Sequence, residues 1–331
     1  MSAFLVLGVC AVAIYLACEY FVNGVEWVGL RLGVAKSAVG SVLAAFGTAL
    51  PESVVTFAAV ATGGTAAQKS IGVGAAIGGP LVLATLAYGV VGVTALATGP
   101  GGKTVALDRP FQAKLARDQA WFAPLFAFIS ILGLFASGGK IYAAGGLLAV
   151  YALYTWRELS DRSSTVGEHD DVEPLKIAPA NASPSLLLCT LQTAAALLVI
   201  FVASGVFVRA LDTVCGILRI VPESGAVFLS PIATELPETM NAFIWLRQGK
   251  APLALANISG AMIIQATIPS ALGLIYTPWL FDRVLVIAAA VTLAATALLW
   301  WVLRRYPLKS SALAMLGTFY LVFCLLVALT R

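Results

Sequence analysis

The chain has 331 residues, of which 60% are hydrophobic and only 11% are charged. Soluble globular domains carry about 25% charged residues, so this composition excludes a soluble globule and predicts a polytopic membrane protein. The formal net charge is +4, but no run of Lys and Arg resembles a nucleic-acid-binding patch, so we expect no nucleic-acid partner.

Apolar runs of about 20 residues, the length that crosses a bilayer as a helix, occur ten times along the chain. In chain order the predicted spans cover 3–22, 37–61, 70–98, 119–138, 141–157, 184–208, 222–246, 251–279, 283–303 and 309–329. The spans at 70–98 and 251–279 exceed the length that a bilayer needs, and both contain glycines and a proline. We therefore expect these two helices to be tilted or broken.

Two copies of one motif divide the chain into related halves. Residues 47–52 read G-T-A-L-P-E and residues 233–238 read A-T-E-L-P-E. A constant offset of 186 positions relates the two copies and also aligns glycines further along each half. We therefore predict a first repeat of five helices at 1–157, a polar linker at 158–183 and a second repeat of five helices at 184–331.

The distribution of Lys and Arg predicts how the chain crosses the membrane. With the N-terminus outside, 14 of the 20 Lys and Arg residues fall on the inner side, as the positive-inside rule requires. Because five is an odd number, the second half would enter the membrane from the opposite side to the first. The sequence thus predicts an all-α polytopic protein of the cell membrane, with ten transmembrane helices as two inverted five-helix repeats, a cytoplasmic linker and both termini outside.

Each motif places a proline inside a predicted span. Pro51 lacks an N–H and cannot donate the helix hydrogen bond to the Gly47 carbonyl, and Pro237 leaves the Ala233 carbonyl free in the same way. Irregular backbone at membrane depth is tolerated only when protein buries it or when it lines a watery cavity. Freed carbonyls at this depth suggest a cation site.

Threonine and glutamate four residues apart place a hydroxyl and a carboxylate on one helix face in each motif. The pairs are Thr48 with Glu52 and Thr234 with Glu238, and Glu235 adds a third carboxylate. A charged residue at the centre of a membrane helix costs about 2.5–3.5 kcal/mol, so three cost roughly 8–10 kcal/mol, which a purely structural role would not repay. We predict that these five side chains bind a transported metal cation.

The paired motifs, each followed by a Gly-rich helix at 72–79 or 257–262, resemble the two alpha-repeats of the cation/calcium exchanger superfamily. The resemblance implies a prokaryotic antiporter of the sodium/calcium exchanger type. In that family the threonine and glutamate of each repeat bind the transported cations. This implication applies here to Thr48, Glu52, Thr234 and Glu238.

Several positions depart from the pattern of that family. A serine usually follows each motif threonine, but Ala49 and Glu235 stand there in this chain. The third and eighth helices usually supply an Asn or Asp, whereas Gly79 and Gln265 occupy these positions. Gln265 is predicted as a neutral oxygen donor to the cation, with a helix-packing hydrogen bond as the alternative. The first repeat has therefore lost ligands that the second partly replaces.

The ligand set consists of oxygen atoms only, which suits a hard cation, and its mixed composition suits calcium better than the strict octahedron of magnesium. Three carboxylates crowded at low dielectric cannot all stay ionised without a cation, so protons compete with sodium as the expected counter-ion. We expect calcium as cargo, sodium or protons as counter-ion, no resident cofactor, and the lipid bilayer as the surrounding partner.

Three functional classes compete for these features. A secondary antiporter explains the inverted repeats, the interrupted helices and the carboxylates together. A cation channel, or an antiporter for another divalent cation, would use similar oxygen ligands. An intramembrane hydrolase would need a nucleophile or a metal triad, and the chain contains no H-E-x-x-H or G-x-S-x-G motif, so we expect no enzymatic activity.

Overall fold

The computed structural model describes residues 2–32, 44–98, 105, 107–135, 138–160 and 173–330. The regular elements in these ranges are helices, and no β-strand occurs among them. The helices are α1 (Ser2–Arg31), α2 (Ala44–Thr62), α3 (Ala66–Val82), α4 (Tyr88–Thr98), α5 (Arg109–Leu134), α6 (Lys140–Ser160), α7 (Leu186–Leu218), α8 (Pro222–Thr234), α9 (Leu236–Arg247), α10 (Ala251–Tyr276), α11 (Arg283–Arg305) and α12 (Ser310–Leu329).

Among the described residues, six helical segments are long and apolar enough to cross a membrane. They are Ser2–Arg31, Ala66–Ala97, Leu186–Leu218, Ala251–Tyr276, Arg283–Arg305 and Ser310–Leu329. An unbroken helix satisfies its own backbone hydrogen bonds, which lipid cannot do, so helices are the expected form for such apolar segments. The prediction of an all-α membrane protein is confirmed.

The helices predicted at 70–98 and 251–279 differ in whether they are interrupted. A π-helical turn at Leu83–Ala87 separates α3 from α4, a few residues after Pro80, so the expected irregularity is present there. By contrast, α10 continues through Pro269 without a break. Pro269 cannot donate to the carbonyl of Gln265, but the Ser270 hydroxyl donates to that oxygen at 3.2 Å. Of the two outcomes expected for this helix, a tilt or a break, the break is absent, and Ser270 supplies the donor that Pro269 lacks.

The two motif helices also differ from each other. Helix α2 runs through Pro51 without interruption. In the second copy, α8 ends at Thr234 and α9 begins at Leu236, with Glu235 between them. Pro231 and Pro237 remove two helix donors within seven residues, which explains why only this copy is broken. The expectation of an interrupted helix is therefore correct for the second motif and wrong for the first.

Burial distinguishes inner helices from outer ones. Within their most apolar windows, α10 is 78% buried, whereas α7 and α12 are each 22% buried. Helices α1 and α7 pack along each other and share a core that is separate from the main core around α10. The interior of the bundle is thus built on α10 and on α3 with α4.

The described part of the predicted linker packs on α1 and α7. The Asn23 amide donates to the carbonyl of Glu173 at 3.1 Å, and its oxygen accepts from the backbone N–H of Lys176 at 3.0 Å. The backbone N–H of Ile177 donates to the Gln192 side chain, also at 3.0 Å. These bonds hold the segment after 173 against both helices, while the linker residues 161–172 lie outside the described ranges.

A buried polar cluster joins α4, α5 and α10. The hydroxyls of Tyr88 and Ser259 are 2.7 Å apart, and the Gln119 amide donates to both, at 3.1 and 3.2 Å. In an apolar environment such bonds between helices contribute on the order of 1 kcal/mol each. They fix the rotation of α10 about its axis, and thus the direction in which its polar face points.

Glycines on α4 allow close contact with α12. A Cβ atom added at Gly92 would overlap the backbone of Leu313 and Ala314, and one at Gly89 would lie 2.7 Å from the Cα of Gly317. Small residues let membrane helices approach until their backbones touch. The packing of α4 on α12 therefore requires these glycines.

We expect Gly92→Ala to lower the midpoint of thermal unfolding in detergent, because overpacking a close contact costs about 1–3 kcal/mol. Gly8→Ala is the matched control, since an added Cβ at Gly8 on α1 meets nothing within 4 Å. An unfolding midpoint of Gly92→Ala equal to that of Gly8→Ala would contradict the close packing of α4 on α12.

Candidate functional site

The break between α8 and α9 determines where the acidic side chains of the second motif lie. Glu235 is the residue between the two helices, and Glu238 lies in the first turn of α9. Carboxylates at the N-terminus of a helix interact favourably with its dipole and its free N–H groups. The local sequence thus places two carboxylates beside a helix end within the bundle.

All three predicted carboxylates are withdrawn from solvent. The exposed fractions of Glu52, Glu235 and Glu238 are 0%, 1% and 0%, and those of Thr234 and Gln265 are 0%. Burying a charge is costly unless the charge is paired and hydrogen-bonded. The contacts of each oxygen therefore decide what this cluster can do.

Glu235 has the most complete set of hydrogen bonds in the cluster. The amide nitrogen of Gln265 lies 2.9 Å from both carboxylate oxygens of Glu235. The Thr234 hydroxyl is 3.1 Å from the Glu235 Oε1 atom and 3.3 Å from the carbonyl oxygen of Ser230. Donors from α8 and α10 thus stabilise this buried carboxylate.

Glu52 extends from α2 towards the same place. Its Oε1 atom is 3.4 Å from the Thr56 hydroxyl, and the Thr234 hydroxyl also lies beside its carboxylate. Glu52 and Glu235 are close enough to interact electrostatically. The two motif copies therefore meet inside the protein. Glu238 lies after the helix break, in α9, and is buried near Cys18 of α1.

Several buried oxygen atoms of this cluster have no hydrogen-bond partner among the described residues. They are the Oε2 of Glu52, the Oε1 of Gln265 and the hydroxyl oxygen of Ser230. Most buried polar atoms in proteins are hydrogen-bonded, so such a group of exceptions needs an explanation. Carboxylate, amide and hydroxyl oxygens are the ligands that hard cations prefer.

Carboxylates alone do not form a metal site here. Within the described ranges, no three His, Cys, Asp or Glu side chains are grouped so that they could hold a metal ion. A cation at this cluster would therefore need neutral oxygens as well as carboxylates. Gln265 and the hydroxyls supply such oxygens.

A glycine of the first half makes room for the pair of Gln265 and Glu235. A Cβ atom added at Gly79 would lie 2.8 Å from the Oε1 of Gln265 and 3.0 Å from the Oε1 of Glu235. Both distances are shorter than an ordinary van der Waals contact of a Cβ atom. The long side chains of the second half thus fill the space that a side chain at position 79 would occupy.

The structure brings together most of the residues predicted from the sequence. Glu52, Thr234, Glu235 and Gln265 are neighbours, whereas the side chain of Thr48 lies outside the described part of the chain. The roles of all six predicted residues as cation ligands stay predictions.

Sequence reasoning missed three positions in the cluster. Thr56 follows Glu52 by four residues and Ser230 precedes Thr234 by four, so helical spacing could have indicated both. The sequence indicated Gly79 only as a position at which the usual Asn or Asp ligand of the family is absent. Its packing against Gln265 could not be found without coordinates, because the two residues lie on different helices.

Comparison with known proteins identifies the family. The family described as sodium/calcium exchanger protein matches residues 2–159 and 188–329. Among curated relatives, the inner membrane protein YrbG of Escherichia coli (strain K12) is 24% identical over 257 residues, which cover 76% of this chain and 72% of that protein.

Solved structures share the fold over nearly the whole chain. The H+/Ca2+ exchanger CAX superposes with a TM-score of 0.77 at 16% identity, covering 98% of this chain and 82% of that chain. YfkE gives 0.69 at 14%, covering 96% and 90%. The sodium-calcium exchanger NCX_Mj gives 0.61 at 17%, covering 97% of each chain. The match over both halves and the shared helical fold confirm the predicted resemblance: the chain belongs to the sodium/calcium exchanger protein family.

Proposed function

We propose that this chain is a secondary active antiporter that exchanges calcium for sodium or protons. One observation carries the proposal: Glu52 of the first motif meets Thr234 and Glu235 of the second in a buried cluster whose oxygen atoms are only partly hydrogen-bonded. Membership of the sodium/calcium exchanger protein family supports the same activity. It also favours an antiporter over the alternative, a cation channel.

The proposed architecture has ten transmembrane helices as two inverted repeats in the cell membrane, with both termini outside. The first repeat covers 1–157, the cytoplasmic linker 158–183 and the second repeat 184–331. Two observations support this division. The segments that match the family end at 159 and resume at 188, and helices make up most of the described part of each of the ten predicted spans.

Calcium is the proposed cargo, and the proposed ligands come from four helices. They are Thr48, Glu52, Thr234, Glu235, Glu238 and Gln265. Calcium accepts six to eight oxygen ligands in flexible geometry, so a mixture of carboxylate, hydroxyl and amide oxygens suits it. Another divalent cation would meet the same donors, and competition with calcium for uptake distinguishes the two.

Cation binding at Glu235 requires the Gln265 side chain to move. Both oxygens of Glu235 accept from the Gln265 amide nitrogen, so a cation on these oxygens would replace that donor. Rotation of the amide by about half a turn would then present its oxygen, an atom of similar size and opposite polarity. A hydrogen bond to a charged group contributes about 1.5–3 kcal/mol, which a divalent cation beside carboxylates can offset.

Alternating access would use the break at Glu235 as a hinge. Prolines on both sides of this residue leave α8 and α9 joined by a short non-helical segment. In transporters built from inverted repeats, one helical group moves relative to the other around the binding site. A change of angle between α8 and α9 would alter the position of Glu235 relative to Glu52.

We expect Glu52→Gln and Glu238→Gln each to reduce calcium uptake into proteoliposomes by more than about 100-fold, because loss of a ligand costs more than loss of a supporting hydrogen bond. Both variants should fold. Glu19→Gln is the control, since Glu19 is a glutamate of α1 that is 42% exposed and pairs with Lys176. Near-normal uptake by both single variants would contradict the site.

We expect Gly79→Ala to weaken calcium transport by roughly 10- to 100-fold through a higher KM, because its methyl group would push the Oε1 atoms of Gln265 and Glu235, two of the proposed ligand oxygens, out of position. Gly146→Ala on α6 is the control, since an added Cβ there meets nothing within 4 Å. Equal KM values for the two variants would show that the pair of Gln265 and Glu235 does not contribute to the cation site.

We expect protons to compete with calcium at the buried carboxylates, because the like charges of Glu52 and Glu235 in a dry cluster favour binding of protons when no metal is bound. Transport should therefore fall at low pH, and an imposed pH gradient should drive calcium uptake without sodium. Glu235→Ser should shift the dependence towards sodium. Uptake that requires a sodium gradient and ignores a pH gradient would refute proton coupling and leave sodium as the counter-ion.

A further inference from the structure

A basic groove lies between the first half of α5 and the last turn of α11. Its volume is about 910 Å³, and four arginines line it: Arg109, Arg117, Arg304 and Arg305. The groove also contains alanines at 113, 116 and 120, spaced to follow one side of α5. It thus combines a strongly basic mouth with an apolar floor.

Three of the four arginines of this groove have no acidic partner within the described chain. No Asp or Glu lines the groove. Arg109, Arg304 and Arg305 form no ion pair with any residue that the structure describes, and Arg304 lies 5.1 Å above the Trp300 ring. A positive-inside bias calls for basic residues on one side of the membrane, but it does not require four of them around one groove.

Capping of α11 does not explain the arginines. Basic side chains often bind the free carbonyls at the C-terminus of a helix. Here the Gln112 amide donates to the carbonyls of Leu303 and Tyr306, at 2.8 and 2.7 Å. The Val302 carbonyl accepts from the backbone N–H of Tyr306 at 2.9 Å. The guanidinium groups are therefore not needed for these carbonyls.

We propose that this groove binds an anionic phospholipid. The phosphate of the headgroup would lie among Arg109, Arg304 and Arg305, since planar guanidinium groups bind phosphate oxygens in pairs. One acyl chain would follow the alanines of α5, which are too small to fill the groove. A free phosphate ion would satisfy the arginines but would leave this apolar floor without a partner, so the groove fits a lipid better than a small anion.

Native mass spectrometry of the delipidated full-length protein tests the proposal with added phosphatidylglycerol or phosphatidylcholine. The protein should retain one phosphatidylglycerol in preference to phosphatidylcholine. The double variant Arg304→Gln/Arg305→Gln should retain it roughly tenfold less or weaker still, since each basic residue near a lipid surface adds to the attraction. Arg247→Gln is the control, because Arg247 is an exposed arginine at the end of α9 that does not line the groove.

A second variant separates this groove from general attraction to negative charge. Ala120→Phe keeps every charge but fills the floor, and it should also lose the bound phosphatidylglycerol. Inorganic phosphate at the same concentration should not displace the lipid. Equal retention in the double variant and in Arg247→Gln would overturn the proposal. So would unchanged retention in Ala120→Phe, or displacement of the lipid by inorganic phosphate.

Discussion

Burial of carboxylates inside an apolar helical bundle is the constraint on which the rest of this structure depends. Glu52, Glu235 and Glu238 are all within 1% of complete burial, in a protein whose composition excludes a soluble fold. Each of these groups needs a donor, a proton or a cation to offset the loss of water. The broken helix, the buried amide of Gln265 and the small residue at position 79 all lie beside Glu235. We expect a protein to keep such costly buried carboxylates when binding and release of a cation or a proton at them is part of its function.

The two halves contribute unequally to the cluster. In the second half, Glu235 replaces a residue without charge in the first, Ala49, and Gln265 replaces Gly79. These two exchanges are physically linked, because Gly79 leaves the space in which Gln265 reaches both oxygens of Glu235. Loss of side chains in one repeat is thus matched by longer side chains in the other. The proposed ligand set is therefore asymmetric between the two halves.

Much of the fold followed from the sequence because hydropathy and helix length are local properties. The apolar runs, the family and the meeting of the two motifs were all predicted. The differences arose where a neighbouring side chain changed the effect of a proline. Ser270 supplies a donor where Pro269 lacks one, in a helix that could have been tilted or broken and is not broken, and Pro231 adds to Pro237 so that only the second motif helix is interrupted. The contact between Gly79 and Gln265 joins distant helices and has no local signal.

Diffraction from crystals grown with strontium, a heavier divalent cation with a measurable anomalous signal, tests the central claim most directly. We predict an anomalous peak within coordinating distance, about 2.3–2.7 Å, of carboxylate oxygens of the buried cluster, with the Gln265 amide turned away from Glu235. The Glu52 oxygen that has no hydrogen-bond partner in the described chain should be one of its ligands. Peaks confined to surface carboxylates, with the bonds between Gln265 and Glu235 unchanged, would contradict the assignment of this cluster as the cation site.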